Sequence, residues 1–511
     1  MHAPKPHTVS HFKRAPLRLS TMARVAPVML SAVIVAGCTA GPNFVAPAVP
    51  IASTFTEKPI PSRTSSAETT GGTSQTLVPG RDIPGDWWAL FHSKQINALV
   101  ERALKANPTL AAAQATLHEA RENMRAEQGS FFPQIGASAS GEREHNTLIS
   151  QVPTAYTAIS GSLSVSYTLD AFGGARRQVE QLNAQADYER FELEATELTL
   201  VANVVNAAIT EASLQAQIDT TKDIIGAYTR ALDVTRRRFD LGGVSQVDVL
   251  QQQASLNTQI ATLPGLQKQL EQQRNQLAVY LGGLPSDYTA PTLDLASLVL
   301  PDELPVSLPS RLVAQRPDIQ AYAALLHSAS ANVGVAVANM LPQISLTGSY
   351  GRDGSGFSNL FNPAGIVWSI AASLSQPVFQ GGALKAKKRS AEAALDVAAA
   401  QYSSTVNSAF QDVANALVAI NRDAETLAAN VKAQKTAAAS LKVAQAQYSA
   451  GGGTYLNVLS AEQTDQSARL TLISSQATRY TDTVALFQAL GGGWWHRSDV
   501  DPKVAQCCGV F

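Results

Sequence analysis

The side chains able to do covalent or metal chemistry are few and widely spaced in this chain. There are three cysteines, with Cys38 far from the adjacent pair Cys507 and Cys508. His2, His7 and His11 fall in the first residues, and the other five histidines are scattered without metal-ligand spacing. Asp and Glu sit mostly at polar positions of helical periodicity, so no acid–base pair stands out. Gly451-Gly452-Gly453 lies between two helical stretches, with no strand before it and no Lys after it, which excludes a phosphate-cradling loop. The reading is of a protein without a catalytic site, a metal site or a resident cofactor. The one position with clear chemical purpose is Cys38.

No acidic residue precedes position 57, while Lys5, Lys13, Arg14, Arg18 and Arg24 form a basic leader ahead of the apolar stretch from Val25 to Val35. That is the layout of a secretory signal. Val35-Ala36-Gly37-Cys38 then resembles a bacterial lipobox, whose small residues fit the lipoprotein signal peptidase. On this reading residues 1–37 are removed and Cys38 carries a covalent diacylglycerol and an N-acyl chain. Several acyl chains together hold a protein firmly in a bilayer. Thr39, rather than Asp, follows the cysteine, which resembles lipoproteins sent on to the outer membrane. Residues 38–85 are rich in Pro, Ser and Thr and read as an extended tether. Cys507 and Cys508 lie in a tail, 496–511, where a disulfide between subunits or between neighbours is open but no consequence is expected.

The 511 residues carry a formal net charge of -1 and only 15% charged side chains, with no basic stripe, which excludes a nucleic-acid partner. No 18-residue apolar run is read after Cys38, so any membrane crossing falls to strands.

The elements that position Cys38 are organised by an internal repeat. A shift of 209 lays Asn107-Pro108 on Arg316-Pro317, Pro133-Gln134-Ile135 on Pro342-Gln343-Ile344, and Leu281-Gly282-Gly283 on Leu490-Gly491-Gly492. The same shift lays Leu241-Gly242-Gly243 on Ala450-Gly451-Gly452, while Phe172-Gly173-Gly174 and Phe379-Gln380-Gly381 are 207 apart. The halves are 86–283 and 309–495, joined by a linker, 284–308.

Each half reads as helix, strand, strand, long helix, turn, helix. The first helices span about 93–128 and 309–339. Alternation of apolar residues with Ser and Thr, as in Leu163, Val165 and Tyr167 against Ser162, Ser164 and Ser166, predicts strands at 134–144, 157–169, 343–352 and 365–379. The proline-free stretches 175–238 and 383–447 predict helices of 64 and 65 residues, the first about 96 Å long. Glycines at 242–243 and 451–453 reverse the chain, with Ser245 and Thr454 as N-caps of the return helices. Four strands cannot close a barrel, whereas three copies give twelve, with the apolar face toward lipid and the hydroxyl face inside.

These features together, with Asp86-Trp87-Trp88, Gln376-Pro377-Val378-Phe379 and Gly37-Cys38-Thr39-Ala40-Gly41-Pro42, resemble the TolC-like outer-membrane factor family and its NodT-type lipoprotein branch. The resemblance implies a mainly α fold with a transmembrane β part: duplicated helical hairpins forming a trimeric α-barrel topped by a twelve-stranded β-barrel, four strands per subunit. It implies a homotrimer in the bacterial outer membrane, lipid-anchored with its helical barrel in the periplasm, passively conducting small toxic compounds or drugs in a tripartite efflux system. The implied partners are a periplasmic adaptor, an inner-membrane efflux transporter and outer-membrane lipids. Carried over by position, Leu241, Gly242, Gly243, Ala450, Gly451 and Gly452 are adaptor-contact turns, and Asp248, Asn457 and Ser460 are periplasmic gate candidates. The family often has aspartates where Asn457 and Ser460 stand, so an anionic gate would rest on Asp248 alone. Trp87, Trp88, Trp494 and Trp495 are expected to pack together in a collar or simply in the core. The alternatives are a protein-secretion duct of the same build, or a non-conducting envelope spacer.

Overall fold

The computed structural model describes residues 39–48, 54–146, 154–289, 291, 293–358 and 362–497; the signal segment, Cys38, Cys507 and Cys508 lie outside them. In chain order the elements are β1 (Thr76–Pro79), α1 (Lys94–Ala106), α2 (Pro108–Gln128), β2 (Gln134–Asn146), β3 (Thr154–Leu169), α3 (Gly174–Asp240) and α4 (Gln246–Tyr280). There follow β4 (Glu303–Val306), α5 (Pro309–Gln315), α6 (Pro317–Ala338), β5 (Gln343–Gly354), β6 (Ile366–Ser375), α7 (Ala383–Ser449) and α8 (Tyr455–Ala489). The duplication is visible in the lengths: α3 and α7 have 67 residues each, and α4 and α8 have 35 each.

The chain divides into two compact units. The first, containing Ala126–Glu180 and Ala331–Ala391, is a four-stranded antiparallel sheet in the order β2-β3-β5-β6. Its register sets Ser138 opposite Ser162, Ser164 opposite Ser349, and Ser345 opposite Ser373, so one face is a field of hydroxyls. The alternate positions put Ile135, Leu163, Val165, Leu346, Tyr350, Trp368, Ile370 and Leu374 on the other face, all exposed.

The second unit, with Phe44–Arg125, Gln181–Ser330 and the chain from Glu392 onward, is helical around one main apolar core. Leu200, Val201, Val204, Val205 and Ala208 supply it from α3, and Val406, Val413, Leu417 and Ile420 from α7, at steps of three and four. Trp87, Phe91, Tyr480 and Phe487 fill it between the helices.

Several expectations change. Each first helix is two helices, broken at Asn107-Pro108 and Arg316-Pro317, because proline disfavours helical angles in the residue before it: Asn107 and Arg316 have ψ of 122° and 124°. The last strand ends at Ser375 rather than residue 379, since Pro377 has no amide to give a ladder. The segments expected to be tether and linker pair with each other: β1 and β4 form a parallel two-stranded ladder from Thr76 opposite Glu303 to Pro79 opposite Val306. α6 also reaches a mean hydropathy of 1.3 over 18 residues, which the reading of the sequence did not flag. It packs within the fold: His327 stacks on Phe44 at 4.4 Å, and Ser328 and Ser330 are buried.

The repeated Asn-Pro/Arg-Pro and Leu-Gly-Gly landmarks turn out to be two halves of one joint, made twice. Asn107 Nδ2 donates to the Tyr280 carbonyl at 2.9 Å, and Arg316, 209 residues on, donates to the Ala489 carbonyl at 3.1 Å. Each satisfies an orphan carbonyl at a helix C-terminus. Gly282 (φ 71°) and Gly491 (φ 95°) turn the chain there, and a Cβ on them would meet the Ala106 and Gln315 carbonyl oxygens at 2.0 and 3.0 Å. Glycine is required at both for angle and for space.

Candidate functional site

The hydroxyl face of the sheet is joined across strands by side-chain hydrogen bonds: Ser138 to Ser162 at 3.0 Å, Ser140 to Ser160 at 2.7 Å, Ser345 to Ser373 at 2.7 Å and Ser349 to Ser369 at 2.9 Å. Such pairs hold register while leaving a wettable surface. The opposite face exposes a broad apolar surface, larger than a water-facing protein carries without a partner. Among the described residues β2 and β6 each have only one neighbour, leaving two open edges.

In the same unit the segment directly after Cys38 is held down. Ala40 donates its amide to the Phe172 carbonyl at 2.9 Å. Arg177, on the first turn of α3 and nearly fully buried, donates to the Ala40 carbonyl at 3.1 Å, to Asn43 Oδ1 at 2.7 Å and to Glu180 at 2.7 Å. Gly334 lets α6 approach, since a Cβ there would lie 2.8 Å from both the Ala40 oxygen and the Arg177 side chain.

In the helical unit the two reversing turns have the same geometry. Gly242 (φ 74°) donates to the Phe239 carbonyl and Gly243 to the Arg238 carbonyl, while Gly451 (φ 75°) and Gly452 repeat this on Tyr448 and Gln447. Space around Gly242 and Gly451 is open, and Leu241 is 86% exposed. Ser245 and Asp248 form a full capping box: Asp248 accepts from the Ser245 amide and hydroxyl at 2.9 Å, and its own amide donates back to Ser245 Oγ at 3.3 Å. The Asp248 carboxylate is therefore engaged in its own helix start. Thr454, expected to cap α8 in the same way, makes no side-chain cap bond. Asn457 and Ser460 are exposed, and no hydrogen bond joins them to Asp248 among the described residues.

A buried polar cluster near these turns was not read from the sequence. Tyr455 donates its hydroxyl to Gln252 Oε1, Gln252 Nε2 donates to the Tyr228 carbonyl, and Gln466 donates to Gln259, tying α8 to α3 and α4. Tyr448 stacks near Tyr455 at 5.3 Å, and the Arg238 guanidinium lies 5.3 Å from the Tyr448 ring. Glu462 and Asp465 are buried beneath; Asp465 is paired to Arg469 at 2.7 Å, whereas Glu462 Oε2 has no partner. Burial pushes the Glu462 carboxyl up to about 7, offset in part by a hydrogen bond from Gln445. The signal was present: Tyr455, Val458, Leu459 and Glu462 share one helical face, so Glu462 stands where an apolar residue is expected.

Trp87 packs on Phe487 at 5.4 Å and Trp494 edge-on to Phe191 at 6.0 Å, both buried in the core. No group of three or more metal-ligating side chains occurs among the described residues.

Comparison with known proteins agrees with this arrangement. The family described as outer membrane efflux protein matches residues 99–283 and 308–492. The antibiotic efflux pump outer membrane protein ArpC of Pseudomonas putida is 30% identical, over 92% of this chain and 95% of its own. The cation efflux system protein CusC of Escherichia coli O157:H7 is 27% identical, over 91% of this chain and 97% of its own. Among solved structures, the outer-membrane channel OprN superposes with a TM-score of 0.79 at 27% identity, covering 89% of this chain and 100% of its own. Crystal structures of CusC give 0.78 at 26%, over the same shares. With the family matched in both halves and a relative at 30% identity along nearly the whole length, the chain belongs to the outer membrane efflux protein family and is an outer-membrane protein.

Proposed function

We propose that this chain is the outer-membrane channel subunit of a tripartite efflux system, working as a homotrimer whose three sheets close into one twelve-stranded barrel. The observation that carries this is the sheet itself: a hydroxyl face, an exposed apolar face and two open edges. In hydrocarbon each unpaired backbone group costs several kcal/mol, so a single sheet is untenable there and closure by copies resolves it. Two copies would give eight strands, whose interior is filled by side chains, and three give twelve, which leave a wet lumen lined by the Ser and Thr rows.

Cys38 is the lipidation site, and the Arg177 clamp holds Ala40 and Asn43, which follow it in the chain. The turns Leu241–Gly243 and Ala450–Gly452 meet the periplasmic adaptor, and the buried Tyr455–Gln252 and Gln466–Gln259 links hold the two hairpins of a subunit together at that mouth. The cargo is small toxic compounds or drugs, driven by the inner-membrane transporter. The test is complementation: a strain lacking its own efflux duct regains drug resistance on expressing this chain, and native mass gives three copies. A monomer with no gain of resistance overturns the reading.

A further inference from the structure

We propose that Lys385 and Arg389, on the first two turns of α7, form a binding surface for the phosphate headgroups of anionic phospholipids at the periplasmic edge of the bilayer; this rests on the outer-membrane reading above. Every residue of β6 is exposed, and the apolar surface continues past the strand through Val378 and Phe379, 91% and 88% exposed. Phe379, four residues past the end of the strand at Ser375, is an exposed aromatic of the kind that sits between hydrocarbon and headgroups. Two glycines with positive φ, Gly381 and Gly382, then turn the chain into α7. At 1.5 Å per residue Lys385 and Arg389 lie within about 10 Å of the helix start, inside the headgroup layer if Phe379 marks its edge.

The cations are placed against their local field. α7 has no acidic residue in its first turn, and Lys and Arg oppose the positive end of the helix dipole there. The duplicate helix handles the same problem internally: Arg176 on α3 pairs with Asp170 at 3.0 Å, and Arg177 is buried on the Ala40 carbonyl and Glu180. In the second half Pro377 stands 207 residues after Asp170, so that carboxylate has no counterpart. Lys385 and Arg389 are exposed and one turn apart on one face, while Leu384, Lys388 and Ala391 turn inward and Lys387 lies on the far flank. A row of cations beside an exposed apolar and aromatic edge has the charge and the depth to bind an anionic headgroup.

The experiment titrates the purified full-length protein with phosphatidylglycerol and with phosphatidylcholine, reading bound lipid by native mass spectrometry and ion selectivity in planar bilayers. The expected result is preference for phosphatidylglycerol that falls about tenfold in the Lys385→Gln/Arg389→Gln double variant, with oligomer mass, conductance and selectivity unchanged. Lys387→Gln keeps the preference. Unchanged lipid preference in the double variant overturns the proposal, as does altered ion selectivity in its place, which assigns these cations to the lumen. An equal loss in Lys387→Gln also overturns it. Failure of the outer-membrane reading is separable, because then the unaltered protein itself neither conducts nor assembles.

Discussion

Glu462 is a buried carboxyl with one oxygen unpartnered among the described residues. Its carboxyl is pushed up to about 7 by desolvation, so the folded protein holds its proton more tightly than the unfolded chain does. The stability it contributes is full below the ordinary carboxylate range near 4.5 and is lost as pH rises through about 7. Glu462→Gln removes this loss: its stability exceeds that of the unaltered protein increasingly between pH 5 and 8, by roughly 1–2 kcal/mol at the upper end, read as a widening gap between the two melting midpoints. A pH-independent difference contradicts the assignment. Asp482, pushed up to about 8 by burial and by the neighbouring Asp423, titrates in both proteins and cancels in the comparison. Arg177 offers a second test at this scale. Arg177→Gln leaves the Ala40 carbonyl and Asn43 without their donor, costing about 1–3 kcal/mol locally, and the segment around Ala40 becomes cleavable by protease while the subunits stay assembled. Glu462 left a signal, a carboxylate on an apolar helical face, whereas Arg177 reads as one more basic residue of an amphipathic helix until Ala40 and Gly334 close around it.

At the level of elements, the sequence showed nearly all of the pattern and little of its joints. The proline-free runs, the Ser/Thr alternation and the glycine reversals placed both long helices, all four strands and both turns, because period and chain reversal are local properties. The parallel pair β1 with β4 was missed since its strands are four residues each and 227 residues apart, with no local sign of pairing. The landmark glycines looked alike but act differently. A Cβ at Gly282 strikes the Ala106 carbonyl oxygen at 2.0 Å, while Gly242 has open space around it. Gly242→Ala therefore pays only the left-handed backbone, about 1–2 kcal/mol. Gly282→Ala adds displacement of the α1 terminus and lowers the melting midpoint distinctly further, or abolishes assembly. Equal effects of the two substitutions would contradict the joint.

On the scale of the whole molecule, the chain is built around what a single copy lacks. Among the described residues the sheet has two open edges and an exposed apolar face, and the helices reach about 100 Å, which no compact domain needs. The chain belongs to the outer membrane efflux protein family, and the proposed trimer would make it one third of a duct. Charge at the expected gate proved less informative than the turns around it, because the Asp248 carboxylate caps its own helix. The most direct test is the single-channel conductance of the purified protein in planar bilayers, with native mass taken on the same sample. The account predicts a trimer with small conductance that rises when the Tyr455→Phe/Gln466→Ala double variant removes the hydrogen bonds to Gln252 and Gln259. A protein that remains monomeric and never conducts would contradict it and leave an envelope spacer in its place.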